Sequence, residues 1–189
     1  MKHAWHDDGR LLLLLPDDLL IEWRGSGPDY DRACVAGRVW LGSVPVADGV
    51  GLVLGGDPGI ATFARDVDGT LVLIRWIYAD DGDELIEFSL RGEAVEATEP
   101  DFLFENRHPS WELFDAAADP AMDAPSTLRV ELPVGPLRVT TALLQAEQNS
   151  AIVHRFYRVA SPRRSSEPFW PSCPLCCSHP SSARVVAQL

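Results

Sequence analysis

The sequence has few basic residues, and only one of them is lysine. Sixteen lysine and arginine residues stand against 28 aspartate and glutamate residues, which gives a formal net charge of −12 at pH 7. A protein that binds a phosphate backbone needs a basic surface, so this composition excludes nucleic acid as a direct ligand. The negative charge either steers basic proteins toward the chain or serves only its solubility.

The sequence also lacks a long hydrophobic run. Its longest purely aliphatic segment, residues 11–15, has five residues, whereas a membrane-spanning helix needs roughly 20. The residues before this segment are more acidic than basic, and Pro16 ends it at once, which is not the pattern of a secretory signal peptide. We therefore expect a cytoplasmic protein that does not associate with a membrane.

Only four cysteines are present, and their spacing does not form the framework of a disulfide-rich secreted domain. Three of them lie close to the C-terminus and form, with one histidine, a set that could bind zinc: Cys173, Cys176, Cys177 and His179. A second ligand pair is absent, so the pattern favours a protein without a metal or other cofactor. Residues 161–189 are rich in proline and serine and show no periodicity, which predicts a flexible, disordered tail.

Hydrophobic periodicity predicts an α+β fold for the remaining chain. Residues 11–15 and 71–78 are apolar on both alternating faces, which is typical of central strands, whereas Pro45 indicates an edge strand or a bulge. Strands are predicted at residues 10–15, 38–46, 50–54, 60–65, 71–78, 111–114, 127–132, 137–141 and 151–159. Short helices are predicted at residues 17–24, 30–34 and 80–90.

The order of these elements predicts two regions. A mixed or antiparallel N-terminal sheet with short helices is expected over residues 1–98. A C-terminal antiparallel β-meander is expected over residues 99–160, because strands and turns alternate there without a helical segment. The two regions either form separate units or share one domain.

Six short segments, each weak alone, occur in a characteristic order between residues 5 and 160. They are residues 30–34, 55–58, 75–80, 113–116, 135–141 and 153–156. In this order they resemble the immunity protein 21 family of bacterial polymorphic-toxin systems. The resemblance implies a cytoplasmic α+β protein that binds and neutralises a toxin encoded beside it and that catalyses no reaction. The chain departs from the family pattern at Pro136, where an aromatic residue is expected, and directly after Asp57.

Two acidic groups stand beside aromatic residues and are the candidate surface for binding a partner. They comprise Asp29, Tyr30 and Asp31 in the first group and Trp76, Tyr78, Asp80, Asp81, Asp83 and Glu84 in the second. Aromatic residues are enriched at the centres of protein interfaces, and complementary charge raises the rate of association. The hypothesis that follows is a basic toxin domain, for example a nuclease with a positive cleft, as the partner. The alternative is that the acidic residues only cap a helix and face solvent.

Two other functions stay open on the sequence. A small-ligand or carbohydrate-binding β module would use Trp40, Trp76 or Trp111 as stacking platforms in an apolar pocket. A hydrolase would use an Asp/Glu pair across a cleft, with at least one raised pKa. No local pattern supports a nucleophile pair of Cys34 with a histidine, and His154 is predicted to be a half-buried structural residue. The sequence does not predict the oligomeric state.

Overall fold

The computed structural model of the protein describes residues 3–7, 11–56, 59–122 and 125–160. Two sets of predictions lie outside these ranges, namely the disordered tail with its candidate zinc ligands and the part of the family resemblance at residues 57–58. Within the described residues the chain forms two antiparallel sheets and three short helical segments, so the predicted α+β class is confirmed in outline.

The elements are numbered in chain order. The strands of the described residues are β1 (His6–Asp7), β2 (Leu12–Pro16), β3 (Gly42–Val46), β4 (Gly49–Leu54), β5 (Ile60–Arg65), β6 (Leu71–Tyr78), β7 (Val95–Thr98), β8 (Phe102–Asn106), β9 (Ser110–Asp115), β10 (Leu128–Glu131), β11 (Gly135–Gln145) and β12 (Ser150–Arg158). The helical segments are a 3-10 helix (Asp17–Glu22), α1 (Pro28–Ala36) and α2 (Gly82–Arg91).

Each sheet contains strands from both halves of the chain. The large sheet has the order β1-β5-β6-β12-β11-β7, with β8 also paired to β11, and the small sheet has the order β10-β9-β2-β4-β3. The predicted arrangement, an N-terminal sheet followed by a C-terminal meander, is therefore wrong. The hydrophobic pattern of a strand reports which faces are buried and carries no information on which strand will be its neighbour.

The two strands that the sequence marks as central do lie inside their sheets. β2 is flanked by β9 and β4, and β6 is flanked by β5 and β12. Every residue of β2 is buried, as its uninterrupted leucine run requires. Pro45 lies in β3 at the edge of the small sheet, where its missing backbone N–H costs no ladder hydrogen bond.

The two sheets pack face to face, and helices cover both outer faces, so the molecule has four layers. The core between the sheets contains Leu12, Leu14, Leu52, Leu54, Leu71, Leu73, Leu137, Val139 and Phe156. The 3-10 helix and α1 cover the outer face of the small sheet, against Leu13, Leu15 and Phe114. On the far side, α2 covers the outer face of the large sheet with Leu85, Ile86 and Phe88, which pack against Val72, Ile74 and Val153.

The boundaries of α2 follow from its sequence, and the predicted helix at residues 80–90 is confirmed. The side chain of Asp81 accepts hydrogen bonds from two backbone N–H groups in the first turn, which is the usual role of an N-cap aspartate. Gly92 ends the helix in the left-handed conformation, with φ of 69°. Arg91 in the last turn interacts favourably with the negative end of the helix dipole.

One predicted strand is shorter than expected, because a distant carboxylate occupies its backbone donors. The strand expected at residues 38–46 begins only at Gly42. The Glu99 carboxylate accepts hydrogen bonds from the backbone N–H groups of Trp40, at 2.7 Å, and Leu41, at 3.2 Å. Those two donors are therefore unavailable to a β-ladder, and no pattern near residue 40 could indicate this.

Other differences concern the helices and the strands that were not predicted. The segment expected to be helical at residues 17–24 is a 3-10 helix, and the turn expected at residues 30–34 is the centre of the longer helix α1. β7 and β8 were not predicted. All four residues of β7 are exposed, so this edge strand shows no apolar alternation. No helix within the described ranges is long and apolar enough to span a membrane.

Candidate partner-binding surface

The second acidic group, here called the α2 group, comprises Trp76, Tyr78, Asp80, Asp81, Asp83 and Glu84. It forms where β6 ends and α2 begins. Trp76 is half-buried and packs edge-on against Trp5, with ring centroids 5.0 Å apart. A Cβ atom on Gly82 would lie 3.0 Å from Trp5 Nε1, so the start of α2 rests directly on this pair of rings. Trp76 therefore supports the surface, whereas the side chain of Tyr78 is 51% exposed and available to a partner.

The four carboxylates of the α2 group are exposed and differ in their contacts. The Oδ1 atom of Asp81 accepts hydrogen bonds from the backbone N–H groups of Asp83, at 2.8 Å, and Glu84, at 3.0 Å. Within the described part of the chain, none of the four carboxylates forms an ion pair. Asp81 thus has a structural role, and no described side chain forms an ion pair that would compensate the negative charge of the group.

The first acidic group, here called the α1 group, comprises Asp29, Tyr30 and Asp31. The Asp29 carboxylate accepts hydrogen bonds from Arg32 Nη2, at 2.7 Å, and from the backbone N–H of Arg24, at 3.1 Å. Tyr30 packs against the buried residues under α1. Burial, followed by the charge of the neighbouring Cys34 thiol, raises the pKa of Tyr30. Only Asp31 in this group presents an exposed carboxylate that has no such contact.

The structure does not bring the two groups together. α1 covers the outer face of the small sheet, and α2 covers the outer face of the large sheet, so the two groups lie on opposite sides of the sandwich. The sequence could not reveal this separation, because it depends on which sheet each helix covers. One partner surface of ordinary size would contact either group but not both.

The large sheet also contains buried polar side chains between the two sheets. Arg75 is fully buried and donates hydrogen bonds to the carbonyl oxygens of Gly55, at 2.6 Å, and Gly56, at 2.5 Å. His154 is fully buried rather than half-buried as predicted, because both faces of β12 are covered. Its Nδ1 atom lies 2.9 Å from Thr141 Oγ1. Burial, and secondly the positive charge of Arg75, hold the pKa of His154 well below its usual value.

These positions bear on the two other functions. Trp111 is buried, and its Nε1 atom donates a hydrogen bond to the carbonyl oxygen of His108 at 2.9 Å, so this ring is not a stacking platform. Cys34 is exposed on α1, which covers the small sheet, whereas His154 is buried in the large sheet. The two side chains therefore cannot act together as a nucleophile and a base. Among the described residues, no group of three or more histidine, cysteine or carboxylate side chains could hold a metal ion.

Sequence reasoning missed two features that contribute to the exposed surface. Ile77 is 43% exposed, although the apolar pattern of residues 71–78 predicts burial on both faces of the strand. A pocket of about 240 Å³ forms between the β3–β4 turn and the segment that joins β8 to β9. The charged run at residues 105–108 was a visible signal for this pocket, but β8 itself was not predicted.

Comparisons with known proteins give one result. A search of curated proteins and a search of solved structures found no significant match. The family model described as immunity protein 21 matches residues 5–150, which is most of the chain, and the protein therefore belongs to the immunity protein 21 family.

Proposed function

We propose that this protein neutralises a bacterial polymorphic toxin by binding it stoichiometrically, through a surface that includes the α2 group. The observation that carries the proposal is a set of exposed carboxylates at the start of α2 that form no ion pair among the described residues, together with the exposed side chain of Tyr78 at the end of β6. Membership of an immunity-protein family supports a role in binding rather than in catalysis.

The chemistry of this surface favours a basic partner. Exposed carboxylates without an ion pair among the described residues attract a positively charged surface and speed its approach. Tyr78 supplies apolar area, which holds a complex together after the first encounter. A toxin with a positive active-site cleft, such as a nuclease, matches both features. The proposal places the encounter in the cytoplasm of the bacterium that makes both proteins.

Co-expression with the neighbouring toxin gene tests the function itself. The protein is expressed together with the small C-terminal domain of the large secreted protein encoded beside it. We expect rescue of cell growth and co-purification of the two chains in equal amounts. If growth is not rescued although both chains are made, the immunity function is refuted.

Removal of charge tests the position of the interface. The variant Asp80→Asn/Asp83→Asn/Glu84→Gln leaves the capping residue Asp81 intact. Its association rate with the toxin domain at low salt should fall about tenfold, and the dependence of that rate on salt should flatten.

A matched control removes three carboxylates elsewhere on the surface. The variant Glu22→Gln/Asp68→Asn/Glu131→Gln changes the net charge by the same amount at exposed residues outside the α2 group. It should retain most of the wild-type association rate in stopped-flow measurements. Equal losses in both triple variants would mean that overall charge, and not the α2 group, guides the toxin.

A further inference from the structure

We propose that a pocket at the end of the sandwich opposite the α2 group binds a lysine or arginine side chain of the toxin domain. The identity of the partner rests on the proposed function, whereas the chemistry of the pocket rests on its own residues. β4 begins at the pocket with Gly49 and ends at Leu54. The next residue, Gly55, accepts a hydrogen bond from Arg75 of β6. β6 ends three residues later at Tyr78, where the α2 group lies, so the pocket and the α2 group are at opposite ends of the sandwich.

The size and lining of the pocket suit one long cationic side chain. Small-molecule sites have volumes of about 300–1,000 Å³, and this pocket has about 240 Å³. Phe104, Trp111 and Val50 provide apolar walls for an aliphatic stem, and Asp48 and Glu105 provide carboxylates for a charged end group.

The loop that forms one wall is fixed by hydrogen bonds before a partner arrives. Asn106 is 1% exposed, and its Nδ2 atom donates to the carbonyl oxygen of Pro133 at 2.8 Å. Its Oδ1 atom accepts from the backbone N–H of His108, at 3.1 Å, and from Trp111 Nε1, at 3.2 Å. A site that is already ordered loses less entropy when it binds, so a single side chain can be held effectively.

The charges around the pocket favour a cation. His108 Nδ1 lies 3.0 Å from a carboxylate oxygen of Asp18, which fixes the orientation of the ring. Its Nε2 atom faces the opposite wall, 3.7 Å from the point that a Cβ atom on Gly49 would occupy. Among the residues that line the pocket, Asp48 and Glu105 carry two negative charges, against one positive charge on Arg107.

Butylguanidinium, a free analogue of the arginine side chain, tests the pocket without the toxin. In an NMR titration of the full chain, we expect saturable shifts of the Trp111 indole and His108 ring signals. Butyramide, a neutral probe of similar length, should leave both signals in place. Equal shifts with the two probes would overturn the proposal, because the pocket would then select for shape and not for charge.

Variants of the lining residues sharpen this test. In Asp48→Asn/Glu105→Gln, the affinity for butylguanidinium should fall about fivefold, as expected for the loss of two exposed charge contacts. Arg107→Gln should raise the affinity about twofold, because it removes the competing cation. The control Asp68→Asn/Glu147→Gln removes the same charge outside the pocket and should bind as the wild type does. Loss of affinity in the control equal to that in the pocket variant contradicts the inference.

Binding of the toxin domain separates this inference from the proposed function. If the wild type binds the toxin but butylguanidinium shifts no pocket signal, the pocket proposal fails and the immunity function stands. If butylguanidinium binds as expected but the wild type does not bind the toxin, the immunity function is refuted. The proposal that a toxin side chain occupies the pocket is then refuted as well. When both bind, Asp48→Asn/Glu105→Gln should also weaken the toxin complex about fivefold, and unchanged toxin affinity would refute the pocket as part of the interface.

Discussion

The two outer layers of the sandwich contain the same type of sequence feature and use it differently. Each helix begins with aspartates close to a tyrosine, yet the surroundings of the two groups differ. In the α1 group, Asp29 is bonded to Arg32 and Tyr30 packs onto the core. In the α2 group, the carboxylates form no ion pair with any described residue and Tyr78 is exposed. The availability of an acidic group is therefore decided by its neighbours and not by its composition.

The sheets under the two helices differ as well. None of the described buried polar or charged residues lies on a strand of the small sheet. The large sheet, in contrast, buries Arg75, Thr141 and His154 between the layers. Buried polar groups are stable only when their hydrogen bonds are satisfied, so this half of the molecule is the more sensitive to a change of protonation.

The largest expected effect comes from exchanging the two tyrosines for alanine. Tyr78→Ala should weaken toxin binding by about 2 kcal/mol, or roughly 30-fold, because exposed aromatic residues are frequent hot spots. Its thermal unfolding temperature should change little. Tyr30→Ala should lower the unfolding temperature and leave toxin binding nearly unchanged, because this ring packs on the core under α1. Calorimetric titration and thermal unfolding check both variants, and a loss of affinity in Tyr30→Ala alone would reverse the comparison.

The second-largest effect is a loss of stability at low pH, which arises in the large sheet. The pKa of His154 is lowered in the folded state, so only the unfolded chain binds this proton as the pH falls below about 6.5. Stability is therefore full above that pH and is lost below it, by about 1.4 kcal/mol per pH unit until the folded-state pKa is reached. Urea unfolding between pH 7.5 and 5.5 measures this slope. The free energy of unfolding of His154→Gln should depend less on pH than that of the wild type, by that amount. An identical pH dependence would exclude His154 as the cause.

A smaller effect distinguishes the two acidic residues at the start of α2. Asp81→Ala removes the N-cap and should lower the free energy of unfolding by about 1 kcal/mol. Asp80→Ala removes a neighbouring exposed carboxylate and should stay within about 0.5 kcal/mol of the wild type. Chemical unfolding measures both. Equal losses would show that the charge near the helix end, and not the cap geometry, stabilises α2.

The smallest effect tests whether pairing makes the α1 group unavailable. Arg32→Ala breaks an ion pair with Asp29 in which the arginine side chain is 46% exposed. The free energy of unfolding should change by less than about 0.5 kcal/mol. Association with a basic toxin should rise by less than about twofold, because the α1 group lies on the other side of the molecule. A larger increase would indicate that the toxin also contacts this side.

The sequence predicts the elements whose signals are local. β2 and β6 are recognisable because their leucine and isoleucine runs are buried on both faces, and α2 because Asp81 and Gly92 mark its ends. Edge strands such as β7 bury no face, so they leave no periodic signal. Strand pairing and the contact of Glu99 with residues 40–41 depend on distant parts of the chain.

The candidate site was predictable in composition but not in arrangement. The sequence identified both acidic groups. It could not tell that Asp29 bonds to Arg32 whereas the carboxylates of the α2 group form no ion pair within the described ranges. The pocket beside His108 was missed for a different reason. Its walls come from β4, β8 and β9, which meet only after both sheets have formed.

The position of β12 has a consequence for synthesis on the ribosome. This strand is the last one of the described chain, yet it lies between β6 and β11, in the middle of the large sheet. A nascent chain that has not reached residue 150 cannot join the two parts of this sheet. Folding of the large sheet must therefore wait until residues 150–158 have been synthesised, because β12 joins its two parts.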